Sequence, residues 1–210
     1  MAETKPSDAH HHGNLKEALV SYTLSAADNG GLSDLSVRKA ARDLGVSPGA
    51  AYRHFPDKNA LLRTVASLGF DALAETFEHA VPFDSSARDA KEARARFVKL
   101  ALAYSDFAHR RRELWRLMFG PLGRSPSLAS GRPSTYEWLG KCLIELASFG
   151  IIKDPQPEDQ FFAWSAIHGL SDLQRPPTIA DPPQDALVER HCAFVIAALS
   201  QESYASRAAQ

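Results

Sequence analysis

Between Leu32 and Leu62 the chain reads LSDLSVRKAARDLGVSPGAAYRHFPDKNALL. This stretch restricts its backbone closely, because caps, turn residues and breakers follow one another at short intervals. Ser36 is a favourable N-cap, and Val37, Ala40, Ala41 and Leu44 follow it on one apolar helical face. Gly45 supplies a residue that can turn left-handed where that helix stops, and Val46 fills the corner. Ser47 caps the next helix, with Pro48 at its first position, where a missing N–H costs nothing. Pro56 ends this second helix just after Phe55, and Asp57 caps a third that begins Lys58-Asn59-Ala60-Leu61-Leu62. Two short helices joined by a tight turn, with a third starting at once, form the helix-turn-helix arrangement that places its second helix in a DNA major groove.

The residue types inside the stretch suit that contact. A reading helix is slim where it approaches base edges, and aromatic and basic where it meets the sugar-phosphate backbone. Here Ser47, Pro48, Gly49, Ala50 and Ala51 lead, and Tyr52, Arg53 and His54 follow. From Ser36 to Arg63 six basic residues (Arg38, Lys39, Arg42, Arg53, Lys58, Arg63) stand against two acidic ones (Asp43, Asp57). That is a local balance of +4 in a chain of formal net charge −1. A near-neutral whole thus holds a basic patch, and phosphate attraction follows the patch. The plainer reading, a three-helix knot with merely solvated charges, leaves the agreement of caps, turn, breaker and charge unexplained.

On these residues the segment resembles the DNA-binding domain of the tetracycline-repressor (TetR) family of bacterial one-component regulators. The matching pattern is an amphipathic first helix, then S-V-R at Ser36, L-G-V-S at Leu44, Y-R-H-F at Tyr52 and D-K-x-x-L-L at Asp57, without insertions, over residues 12–65. The resemblance implies that Ser36 and Val37 start a helix abutting a phosphate and that Arg38 sits where a base can be reached. It further implies that Ser47, Pro48, Gly49 and Ala50 present the base-reading surface, that Tyr52 and His54 contact phosphates, and that Lys58 anchors the backbone. Arg53 falls at a variable position, base reader or phosphate clamp. Because Gly49 and the alanines offer few hydrogen bonds, specificity is expected to draw on Arg38, on thymine methyl contacts or on DNA shape.

Beyond Asp57, apolar residues recur at helical spacing and no segment alternates as a strand does. The expected fold is all-α with about nine helices: a DNA-binding domain over residues 12–65, then a helical ligand-binding and dimerisation domain over 66–204. One long helix is expected from about Ser86 to Ala108. Arg110, Arg111 and Arg112 lie among charges of both signs, which reads as a solvated face. The run His10-His11-His12, ahead of the first helix, suits an arm along the adjacent minor groove, or else a tag remnant; three histidines alone make a poor metal site. No run nears the roughly 18 apolar residues of a membrane span, and no apolar signal-peptide core opens the chain. Cys142 and Cys192 are too few for a disulfide framework, so a reducing cytoplasm is the expected location, with a single disulfide or a redox sensor as the alternative.

A second resemblance lies in the C-terminal part. Trp164, His168 and Gly169, with the upstream run RELWRLMFG from Arg112 to Gly120, resemble the group of TetR-like regulatory domains named for its W-H-G motif. In the family the last two helices of each subunit form a four-helix dimer interface. That implies an interface at Ala166, Gly169 and Leu173 on one helix and Leu187, Val188, Phe194 and Val195 on the last. Large aromatics in the same half suggest a pocket between bundle helices, lined by Phe97, Tyr104, Phe107, Trp115, Met118, Phe119, Trp138, Cys142, Trp164 and His168. For each of them singly, a place in the core is the plainer reading.

The function expected is a DNA-binding transcriptional regulator, a repressor that binds a pseudo-palindromic double-stranded operator as a homodimer and leaves it when a small, largely apolar effector binds. No cofactor, metal or membrane partner is expected. Two rivals stand beside it. One is a ligand-independent architectural DNA-binding protein. The other is an enzyme with an incidental helix-turn-helix, against which no Gly-rich phosphate loop, nucleophile elbow, metal motif or carboxylate dyad is found, only the pairing of Cys142 with His168 that can be drawn on paper.

Overall fold

The structure, a computed structural model, describes residues 15–123, 133–173 and 183–200. The run His10–His12 lies outside the described residues. Among those described there are nine α-helices and no strand: α1 (Leu15–Asp28), α2 (Val37–Asp43), α3 (Pro48–His54), α4 (Lys58–Ala80), α5 (Ala90–Arg110), α6 (Arg112–Phe119), α7 (Thr135–Ser148), α8 (Pro157–Asp172) and α9 (Gln184–Ser200). None is long and apolar enough to cross a membrane.

Helix ends fall where a side chain can close them. Ser36 Oγ accepts the Lys39 N–H at 3.0 Å, Ser47 Oγ the Ala50 N–H at 3.2 Å, and Asp57 Oδ1 the Ala60 N–H at 2.7 Å. Helix α7 opens with a reciprocal box in which Ser134 Oγ accepts from Glu137 N–H and the Glu137 carboxylate accepts from Ser134 N–H. Helix α5 starts at Ala90, later than the expected Ser86. Asp89 supplies the cap there, its Oδ1 accepting the Glu92 N–H at 2.7 Å.

The chain divides into two compact units. The first takes α1, α2, α3, the part of α4 up to Gly69, and α6. Its core is built from Leu19, Val37, Ala41, Ala51, Leu61 and Val65, with Leu114 and Trp115 of α6, all buried. Helix α6 comes from far along the chain, and polar contacts fasten it. Arg111, just ahead of α6, forms a bidentate pair with Asp28 at the end of α1, at 2.8 and 2.9 Å. Two residues on, the Glu113 carboxylate accepts the Leu32 N–H at 3.2 Å. Helices α4 and α6 approach so closely at Gly69 that a Cβ there would lie 2.6 Å from Met118 Sδ.

The second unit takes α4 from Phe70, together with α5 and α7 to α9. Helix α5 packs against α7, α8 and α9, burying Phe97, Leu100, Tyr104 and Phe107. A buried ion pair joins α5 to α7, Arg96 Nε to Glu145 Oε2 at 2.7 Å. The same guanidinium donates to Ser85 Oγ at 2.9 Å and to Ser85 O at 3.0 Å, so it also holds the loop after α4. Trp138 Nε1–H donates to Val81 O at 3.0 Å, and Lys141 donates to Phe83 O, so α7 grips that loop twice more.

Candidate nucleic-acid interface

The turn between α2 and α3 is closed by the backbone alone. Gly45 takes φ +70°, its N–H donates to Arg42 O at 3.0 Å, and the Val46 N–H donates to Ala41 O at 2.9 Å. This pair of bonds satisfies carbonyls left over at the end of α2 and reverses the chain within three residues. Helix α3 follows at once, and its inner face is fixed by small residues: Ala51 is fully buried, Ala50 nearly so, and Phe55 plugs the end. Pro48, Gly49, Tyr52 and Arg53 are left on the outer face, with His54 exposed at the last turn.

The structure therefore sorts the expected reading surface. Ser36 and Ser47 are exposed but spend a lone pair on their caps. Val37 and Ala50 point inward and shape the helices from behind. Gly49 is exposed, its φ is ordinary, and a Cβ built on it would meet nothing within 4 Å. Gly49 lies in the first turn of α3, just after Pro48, and among the described residues no side chain fills the space beside it.

The basic residues are not equivalent. Lys39 pairs with Asp43 at 2.8 Å, and Asp43 also accepts the Tyr22 hydroxyl at 2.6 Å. Arg42 lies 3.6 Å from the same carboxylate. Lys58, expected to anchor a phosphate, turns its ammonium onto the α1–α2 loop, donating to Leu32 O at 2.8 Å and Ser33 O at 3.4 Å. Both carbonyls lie in the loop outside any helix, and Lys58 supplies each with a donor. Arg38, Arg53 and Arg63 are exposed with no carboxylate partner among the described residues. The i,i+4 spacing of Lys39 and Asp43 is a sequence signal for that pair. Nothing local marks Tyr22 or the Leu32 carbonyl, because those contacts span 21 and 26 residues.

The expected pocket residues fall into both units. Trp115, Met118 and Phe119 are in the first, the others in the second. In the second, Phe97, Phe107, Trp138 and Cys142 are buried, and the Phe77 ring packs tilted on Tyr104 and edge-to-face on Trp138, centroids 6.1 Å apart in each pair. Trp164 Nε1–H donates to the Tyr104 hydroxyl at 2.9 Å, and that hydroxyl lies 2.8 Å from His168 Nδ1. Burial raises the Tyr104 pKa and lowers that of His168, so both stay neutral and the hydroxyl, accepting from Trp164, donates a hydrogen bond to the imidazole. His168 thus meets Tyr104 in place of Cys142. The Cys142 thiol is pushed up to about 12 by burial, which leaves it protonated at neutral pH and a poor nucleophile. Among the described residues no cluster of His, Cys, Asp or Glu could hold a metal.

The expected dimer residues also divide. Val188 and Val195 are buried within the chain's own second unit. Leu173 and Phe194 are 72% and 58% exposed, and Phe161 and Phe162, outside the expected dimer set, are 58% and 45% exposed. Ala166 and Gly169 are half-buried, and a Cβ at Gly169 would meet nothing within 4 Å.

Residues 24–65 match the family described as bacterial regulatory proteins, tetR family, and residues 97–195 match the tetracyclin repressor-like C-terminal domain. A protein of unknown function from Rhodococcus sp. RHA1 is 31% identical, with a TM-score of 0.72 over 93% of this chain and 100% of that one. A bacterial regulatory protein in the tetR family from Rhodococcus RHA1 shares the fold at 20% identity, with a TM-score of 0.60 over 90% and 98% of the two chains. The ketosteroid transcriptional regulator KstR2 of Mycobacterium tuberculosis shares it at 16% identity, with a TM-score of 0.51 over 90% and 96%. No curated protein matches.

Proposed function

Because the chain belongs to the tetR family of bacterial regulatory proteins, and is thus a DNA-binding transcriptional regulator, we propose that it is a repressor which binds a pseudo-palindromic operator as a homodimer and is released by a small, largely apolar effector. The observation that carries the reading of DNA is the outer face of α3, where Pro48, Gly49, Tyr52 and Arg53 are exposed, with Arg38 of α2 also exposed and without a carboxylate partner among the described residues. We place the reading head at residues 12–65 and the effector and dimer functions at 66–204. Arg38 and Arg53 reach base edges or phosphates, Tyr52 and His54 contact phosphates, and Lys58 braces the loop ahead of α2.

The dimer is formed through the outer faces of α8 and α9. Phe161, Phe162, Leu173 and Phe194 expose apolar surface there that a lone soluble chain has little reason to keep. Two copies then present two reading helices about one DNA turn, ~34 Å, apart. The effector is taken among the aromatic side chains of the second unit, near Phe77, Tyr104, Trp138 and Trp164. Helix α4 belongs to both units and is the element through which an effector changes the reading head. A ligand acts this way only through its differential affinity for the two states.

Selection from a random duplex pool near 150 mM salt, so that phosphate attraction alone does not decide the outcome, tests the reading. A two-fold symmetric motif is expected; failure to enrich any motif overturns it. Thermal melts against a panel of apolar metabolites test the effector, since a true ligand raises stability by mass action. A selected motif without any stabilising or releasing ligand would favour an architectural DNA-binding protein.

A further inference from the structure

The connection between α1 and α2 begins Asn29-Gly30-Gly31, and two successive glycines leave a backbone free to lead the chain in many directions. Gly30 takes φ +75°, so the chain turns left-handed as it leaves α1. The Leu32 backbone is then held on both sides. The Glu113 carboxylate of α6 accepts its N–H at 3.2 Å, across 81 residues of sequence, and the Lys58 ammonium of α4 donates to its carbonyl at 2.8 Å. From there the chain runs directly into α2: Leu35 is buried, Ser36 caps the helix, and Arg38 is exposed in the first turn. The start of α6 is fixed in turn by the two bonds from Arg111 to Asp28. A carboxylate in a unit that meets phosphates weakens the attraction to DNA, so Glu113 needs a reason to be there. An acidic residue in the first turn of a helix suits the helix dipole, but the dipole asks for no particular reach. The bond to Leu32 does.

We propose that Glu113 is a positioning residue for DNA binding: by holding the Leu32 N–H it fixes the glycine-led loop, so that α2 offers its first turn and Arg38 to the duplex in one arrangement. The inference rests on the reading of α2 and α3 as the DNA-contacting pair. Glu113 acts through the loop and not through contact with DNA. A loop that is out of place part of the time lowers the apparent affinity by the fraction of molecules that are competent, and a loop held beforehand removes that loss. What the position requires is an acceptor oxygen at the reach of a glutamate side chain; the negative charge is incidental.

The test sets Glu113→Gln against Glu113→Asp in the full-length protein, on the operator enriched by the wild type. Glu113→Gln keeps the reach and an acceptor oxygen but loses the charge. Glu113→Asp keeps the charge and suits a first helical turn, but its carboxylate falls one methylene short of Leu32. Glu113→Gln is expected to hold operator affinity within about twofold of the wild type, and Glu113→Asp to lose about tenfold, the scale of one charge-assisted hydrogen bond. Glu113→Ala follows Glu113→Asp. Hydrogen exchange read by mass spectrometry separates positioning from general stability. In Glu113→Asp exchange is expected to quicken over residues 29–36 and to stay as in the wild type across α1 and α3. Equal operator affinity in Glu113→Asp and Glu113→Gln, whether lowered or kept, overturns the proposal, because reach then does not matter. So does a loss accompanied by faster exchange throughout the first unit, which would make Glu113 a support of the fold alone. A wild type that enriches no motif overturns the operator reading as well as this inference, whereas a motif bound alike by the wild type and both variants overturns this inference alone.

Discussion

Asp43 accepts hydrogen bonds from Lys39 and Tyr22, and these hold its carboxyl down at about 2, below the usual 3.8. The sign follows from the direction. A carboxylate whose pKa is depressed by folding adds stability above its unfolded value, and that stability is lost as pH falls through the folded value. Asp43→Asn is therefore expected to melt below the wild type at pH 5–7, with the two curves converging between about pH 4 and 2; a constant gap down to pH 2 would show that the carboxylate's charge is not what matters. Lys39 is tied into the same network and Arg42 lies at its edge, so the Asp43 charge already subtracted in the head's +4 is spent on these two and not on Arg38, Arg53 or Arg63. Lys58 is a similar case. With its ammonium on Leu32 O and Ser33 O, Lys58→Ala is expected to lower stability by about 1 kcal/mol while the slope of log affinity against log salt holds. Arg53→Ala has the opposite profile, a slope shallower by about one with an unchanged Tm. Operator titrations at several salt concentrations separate the two; a reduced slope in Lys58→Ala would return that ammonium to the phosphates.

At the level of elements, the turn between α2 and α3 depends on Gly45. Gly45→Ala forces an L-residue to φ +70° and is expected to cost about 1–2 kcal/mol, read by urea unfolding, although its Cβ would meet nothing. Helices α2 and α3, with their caps and turn, were legible because each signal lies within four residues of the group it satisfies: Ser36 with Lys39, Ser47 with Ala50, Asp57 with Ala60. The start of α5 was misplaced for a related reason. Ser86 and Asp89 are both acceptable caps on paper, and only the observed Asp89–Glu92 bond distinguishes them. Contacts joining distant segments left no mark. Arg96 and Glu145 are 49 residues apart, and in isolation each reads as a solvated charge on a helix. Together they form a buried pair that fastens α7 and the loop after α4 to α5. Removing one partner strands the other charge, so Glu145→Ala is expected to destabilise by about 3–5 kcal/mol. A loss under 1 kcal/mol in urea unfolding would mean that water already reaches the pair.

Across the whole molecule, burial decides which of the C-terminal residues can meet a second copy, and the sequence could not. Helices α8 and α9 carry apolar residues around much of their circumference, so periodicity alone assigns no face, and Val188, Val195, Leu173 and Phe194 looked alike. In the fold the first two are inside and the last two are outside. This gives a discriminating pair of substitutions. Leu173→Glu with Phe194→Glu places charge on the proposed interface without touching the chain's own core. The double variant is expected to be a folded monomer by light scattering, with helical content retained. Val195→Glu buries an unpaired carboxylate and is expected to unfold the second unit, since such burial costs several kcal/mol. For the dimer, the wild-type Tm rises with protein concentration, because association favours the folded state by mass action, while the double variant's Tm is independent of it. Operator binding follows the same logic. A single head holds one half-site, so the folded monomer is expected to bind a full operator no more tightly than a half-operator, and a double variant that still prefers the full site would place the interface elsewhere than on α8 and α9.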